Sequence, residues 1–168
     1  MKLKNPIKDM RTIKALLLGA EDQARAAGES QPGAEHLLLS ALELPEGSGR
    51  RAFERAGADP DELRPAIERQ HADALRAIGI ESPIDDTHAA DRPEGERGEG
   101  VYRSKAPLQS AFQAAGELAR DQGTSLRGAH VVIAVADMEH GTAARALRTM
   151  GVDREALAVA AREELAPR

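Results

Sequence analysis

The sequence has no cysteine and no tryptophan, and its aromatic residues are Phe53, Tyr102 and Phe112. Without cysteine, disulfides and thiolate metal sites are excluded, and a reducing compartment is compatible with the chain. So few rings leave little on which to stack nucleic-acid bases. A basic excess is also missing: 28 acids against 23 bases give a formal net charge of −5. A dedicated nucleic-acid binder would need a basic face. Long apolar runs are absent as well. Leu16-Leu17-Leu18 is followed at once by Glu21 and Asp22, too short for a signal segment and far from the roughly 20 residues of a membrane span. These absences predict a cytoplasmic protein bound to neither nucleic acid nor membrane. No G-x-x-x-x-G-K-[ST] occurs, so no loop is built to cradle ATP phosphates.

What remains is aliphatic and rich in alanine. Hydrophobic residues make up 41% of the 168, and small side chains let helices approach closely. Ile13, Leu16, Leu17, Ala20, Ala24 and Ala27 recur at helical spacing until Gly28. A short buried helix is expected from His36 to Leu42, bounded by Pro45-Glu46-Gly47. A third carries Ala52, Phe53 and Ala56 and ends at Gly57. A fourth opens at Asp59, with Pro60 in its first turn and Glu62 three residues after the cap. Pro65 disagrees with that helix and predicts a kink or restart there.

The pattern then returns. Residues 51–63 read RAFERAGADPDEL and residues 145–157 read RALRTMGVDREAL. The register pairs Gly57 with Gly151, Asp59 with Asp153, Gly47 with Gly141 and His36 with His130. A one-residue shift upstream pairs Gly28 with Gly123 and Leu17 with Phe112, and a helix over about 106–122 opens the second copy. Matching glycines and caps indicate an internal duplication. The expected fold is all-α: two four-helix repeats, residues 1–80 and 105–168, joined by residues 81–104. Within the join, 81–100 carries Pro83, Pro93, three glycines, seven acids and two arginines, a composition that predicts a mobile acidic linker. Leu17, Leu38, Phe53, Phe112, Ile133 and Leu147 are candidate core residues.

Residues 33–57 read GAEHLLLSALELPEGSGRRAFERAG. They resemble the Clp N-terminal domain family, whose members carry G-T-E-H-[IL]-L-L-G-L, an E-G-x-G turn and a short Ala-rich helix. The resemblance implies a pseudo-twofold domain of about eight helices, here a stand-alone member without ATPase modules. It implies a non-enzymatic module for unfolded or arginine-rich peptides and for unfoldase, protease or adaptor components of a Clp system, modulating them or sequestering their ligands. Some relatives bind phosphorylated arginine through the Glu of G-T-E-H and a Thr at the start of each first helix. Glu35 matches that Glu, and the Thr position falls on Met10, beside Arg11 and Thr12. In the second copy the Glu position is Ala129 and the Thr position lies near Lys105. At most one phosphoarginine site is therefore expected, and a weak one.

Other candidates have plainer readings. His36 and His130 form a symmetric pair, but histidines at the start of apolar helices usually hydrogen-bond nearby backbone, and no metal site or cofactor is expected. His71, His88 and His140 read as solvated. Arg11, Arg50, Arg51 and Arg145 suit surface ion pairs. No second catalytic group accompanies Glu35. A regulatory, transcription-related helical protein is the alternative and a small hydrolase a third, although no convincing recognition helix or nucleophile elbow is visible.

Overall fold

The computed structural model describes residues 6–79 and 104–167, and these contain helices, turns and no strand. The helices are α1 (Pro6–Ala26), α2 (Ala34–Leu42), α3 (Ser48–Arg55), α4 (Leu63–Ala77), α5 (Ala106–Asp121), α6 (Gly128–Ala136), α7 (Thr142–Thr149) and α8 (Arg154–Leu165). Each half thus holds four helices in the same order. The expected linker, residues 81–104, lies outside the described residues except for Ser104, which is buried.

The repeat is visible in how helices stop. After α1, Gly28 takes φ +74° and the N–H of Glu29 donates to the carbonyl of Ala24 at 2.9 Å. After α5, Gly123 takes φ +62° and the N–H of Thr124 donates to Ala119 at 2.9 Å. A left-handed residue followed by this long-reach bond closes a helix, and any side chain at the glycine would strain it.

The fourth helices begin differently. Asp153 caps α8 directly, accepting from the N–H groups of Glu155 at 2.9 Å and Ala156 at 3.3 Å. Asp59 instead caps a 3-10 turn over Pro60–Glu62, and α4 restarts at Leu63. Pro65 then falls in the first turn of α4, where a backbone N–H has no intrahelical partner to lose. The restart comes at Leu63 and not at Pro65, where it was expected, and that position removes the conflict.

The halves interlock rather than sit side by side. α1 packs on α2 and α5 on α6, while α3 packs on α8, α4 on α7, and α2 against α6 across the middle. One asymmetry matters: α8 lies broadly against α6, but its counterpart α4 barely touches α2. Leu38, Phe53, Ile133 and Leu147 are fully buried, as expected. Leu17 and Phe112 are only partly buried, and their neighbours Leu16 and Ala111 take the core positions. Successive helical residues point about 100° apart, so of two adjacent apolar residues only one faces the core squarely while the other lies at its edge.

Candidate functional site

His36 and His130 occupy the same place at the start of α2 and α6. The Nδ1 of His36 accepts the N–H of Gly33 at 2.9 Å, and that of His130 accepts the N–H of Arg127 at 3.0 Å. Each ring therefore caps its own helix from the third position. Both rings are buried, and burial pushes both pKa values down. That of His130 falls to about 4; for His36 the nearby Glu35 and Glu29 carboxylates oppose the fall. With Nδ1 accepting, the proton of a neutral ring sits on Nε2. In the second copy Nε2 of His130 lies 3.2 Å from Gln122 Oε1 and 3.5 Å from Thr124 Oγ1. In the first copy Nε2 of His36 is buried with no hydrogen-bond partner among the described residues, and Nε2 of His71 likewise makes no hydrogen bond there.

The mouth of α6 is closed by protein. Glu46 Oε1 accepts from the N–H of Gly128 at 2.7 Å and from the Ser48 hydroxyl at 2.8 Å, and Ser48 Oγ accepts from the N–H of Ala129 at 2.9 Å. Arg127 Nε stands 3.3 Å from Glu46 Oε2. Burial works against the charged form of Glu46, but these hydrogen bonds and the guanidinium outweigh it and hold its carboxyl below the usual range. Two of the N–H groups that a helix start offers an anion are thus taken by Glu46 and Ser48.

The mouth of α2 carries a polar cluster instead. Glu35 sits in the first turn with its side chain 7% exposed, and its Oε1 lies 3.6 Å from His36 Nδ1. The carboxylate folds back over Gly33, where an added Cβ would stand 2.7 Å from Oε2. Gly33 is therefore the residue that makes room for Glu35; the second copy has Arg127 and Ala129 at these places. Glu29, just past the end of α1, places Oε1 2.9 Å from His71 Nε2 and gives Oε2 to the Lys105 ammonium. The rings of His36 and His71 lie nearly parallel, 6.5 Å apart. His71 is thus half-buried beside the Glu29 carboxylate, not solvated as its sequence position suggested; α4 carries it there.

The other expected site residues lie elsewhere. Met10 is 70% exposed, Arg11 is exposed, and the Thr12 hydroxyl donates to its own helix at Lys8 O, 3.1 Å away. Asp9 accepts the N–H of Leu126 at 3.0 Å, which ties the start of α1 to the loop before α6. Conversely, the N–H of Lys105 donates to Pro32 O at 2.9 Å, which ties the start of α5 to the loop before α2. The first-helix starts are exchanged between copies, so Lys105 reaches Glu29 beside the Glu35 cluster, while no described contact joins Met10, Arg11 or Thr12 to it. Glu29, His71 and Lys105 are the residues that sequence reasoning missed. Of the arginines, Arg50 pairs with Asp61 at 2.9 Å and Arg51 with the buried Glu164 at 2.8 Å, the latter joining the halves. His88 lies outside the described residues.

Residues 11–88 match the family model of the Clp repeat (R) N-terminal domain. Residues 11–88 thus carry a Clp N-terminal repeat. Its first part is 38% identical over 69 residues to the chloroplastic chaperone protein ClpC1 of Oryza sativa subsp. japonica, covering 41% of this chain and 7% of that protein. It is 37% identical over 99 residues to the chloroplastic chaperone protein ClpC of Pisum sativum, covering 59% of this chain and 9% of the relative. The chain thus spans less than a tenth of the length of the curated relatives it matches. In three dimensions it resembles the N-terminal domain of the caseinolytic protease associated chaperone ClpD from Arabidopsis thaliana. That match has a TM-score of 0.58 at 20% identity over 93% of this chain and 95% of the other. The likeness extends the Clp N-terminal fold to the second copy, where the motif is weaker. Among the described residues, no helix is long and apolar enough to cross a membrane.

Proposed function

We propose that this Clp N-terminal domain is a non-catalytic recognition module of a cytoplasmic Clp system. It binds unfolded or arginine-rich peptide segments, or the adaptor and unfoldase components that carry them. The observation that carries the reading is the mouth of α2. There a Clp-type repeat keeps a nearly buried carboxylate, Glu35, with Glu29 beside it, while the mouth of α6 is closed by Glu46 and Ser48. Carboxylates in such a setting favour guanidinium groups, which they hold by charge-assisted hydrogen bonds. Lys105, whose ammonium is paired with Glu29, must leave that carboxylate to meet an attached anionic group, so a phosphorylated arginine is accepted weakly and at this mouth alone. By holding such segments without processing them, the module either presents ligands to a protease machine or withholds them from it.

Titration calorimetry of the purified chain with an arginine-rich unfolded peptide and with phosphoarginine tests the reading. One peptide site is expected, weakened at least tenfold, about 1.4 kcal/mol, by Glu35→Ala. Two equal phosphoarginine sites, or peptide binding indifferent to Glu35→Ala, would contradict it. Salt-sensitive DNA binding would favour a regulatory protein instead.

A further inference from the structure

The cluster at the mouth of α2 contains more than a peptide contact needs. Glu29, Glu35, His36 and His71 each bring one potential ligand atom, a carboxylate oxygen or a ring nitrogen, and all four atoms lie within 4.8 Å of one another. They come from the α1–α2 loop, the first turn of α2, and α4, so packing gathers them rather than sequence spacing. Glu35 and His36 are more than nine-tenths buried. The buried Nε2 of His36 has no hydrogen-bond partner among the described residues. A buried donor left unpaired is unfavourable, and such a group calls for an occupant beside it.

We propose that Glu29, Glu35 and His71 hold a divalent transition-metal ion, with Zn²⁺ the best match. The Nε2–H of His36 donates to the water or anion that completes its coordination shell. The donor set decides the class of ion. Mixed imidazole and carboxylate ligands suit Zn²⁺ and its neighbours, whereas Mg²⁺ and Ca²⁺ want oxygen alone. Three protein ligands with a fourth position left to a small molecule is a common zinc arrangement. His36 serves as a donor to that fourth group and not as a ligand, because its Nδ1 is committed to the Gly33 N–H and its ring proton therefore sits on Nε2.

Tetrahedral ligands at zinc distances stand about 3.4 Å apart, so the cluster must contract by roughly an ångström. The means are present: Glu29 is on a loop, and His71 rides on α4, which barely touches α2. Lys105 competes, since its ammonium takes the second oxygen of Glu29. The site is thus weakened by a cation that a single substitution removes. This inference does not rest on the peptide reading, because metal alone is the ligand.

Zinc titration of the chelator-stripped full chain, by calorimetry and by competition with a chromophoric chelator, decides the matter. One ion per chain is expected. His71→Ala and Glu29→Gln should each weaken it by about tenfold or more, with folding checked by circular dichroism. His140→Ala, at an exposed histidine, should change nothing. Lys105→Met, at a side chain 43% exposed, should tighten binding several-fold without disturbing the fold. Bound Co²⁺ should show the intense visible absorption of a four-coordinate site. Absence of one-to-one binding tighter than about 1 mM, binding unchanged by His71→Ala, or weaker binding in Lys105→Met would overturn the proposal.

Discussion

The two copies begin their second helix in the same way and fill the space around it oppositely. In each, a buried histidine caps the helix through Nδ1. At α6, Gln122 and Thr124 lie within reach of the outer nitrogen, Glu46 and Ser48 take the first N–H groups, and α8 packs across. At α2, the place corresponding to Thr124 is Glu29, the place corresponding to Ala129 is Glu35, and the place corresponding to Leu165 is His71. The loop residues corresponding to Glu46 and Ser48 are His140, which is exposed, and Thr142, whose hydroxyl accepts from Arg145 at 3.4 Å. A duplicated fold has thus put its scaffold into one copy and its unsatisfied polar chemistry into the other. Where the helix start is sealed from within, it stabilises; where it is left to carboxylates and imidazoles, it is available to a ligand.

The largest effects are expected in the core, where the two phenylalanines occupy different places in their repeats. Phe53→Ala removes a ring with no exposure and should cost about 3–5 kcal/mol in urea unfolding. Phe112 is only partly buried, so Phe112→Ala should cost clearly less, on the order of 1–2 kcal/mol. Equal losses at both would return Phe112 to the core.

A slightly smaller effect comes with acid. His130 has its pKa lowered to about 4 by burial, against an ordinary value of about 6.5. The folded state therefore resists protonation that the unfolded state accepts. The stability His130 confers is fully present above about pH 6.5 and is lost as pH falls toward 4. The loss approaches 3 kcal/mol, about 1.4 kcal/mol for each unit of pKa difference. Denaturant titrations across that range should show the slope, and His130→Asn should flatten it. A slope untouched by His130→Asn would move the titrating group elsewhere.

Ala129→Glu sharpens the contrast from the other side. It restores the missing carboxylate by sequence, but Ala129 is fully buried and its N–H is already taken by Ser48. Overpacking and an uncompensated charge should lower stability by about 1–3 kcal/mol without creating a second ligand site. A stable variant with new binding would show that the mouth of α6 is open. The smallest effect is expected from Glu35→Gln, which should change stability by less than about 1 kcal/mol while weakening peptide binding.

Much of the scaffold was legible because local rules act on each element separately. Glycines with positive φ, aspartate caps and apolar spacing repeat at fixed register, and the helices obey them. The histidine caps were legible for the same reason, since His36 and His130 reach only three residues back. Leu17 and Phe112 show the limit of periodicity: where two neighbours are both apolar, spacing alone does not say which faces the core. The candidate site was legible only at Glu35, through its motif. Glu29 and His71 meet because α4 packs back past the α1–α2 loop, and Lys105 reaches them because the start of α5 crosses between copies; no local spacing encodes either approach. The exchange of first-helix starts also explains why Met10, Arg11 and Thr12, adjacent to Asp9 in sequence, lie toward the mouth of α6.

The central claim is that recognition belongs to the mouth of α2 alone. Amide chemical-shift mapping of the full chain, titrated with an arginine-rich unfolded peptide, tests it most directly. Saturable shifts are expected at Glu29, Gly33 to His36 and His71, with Gly128 to His130 unmoved. Shifts of equal size at both mouths, or confined to the mouth of α6, would contradict the account.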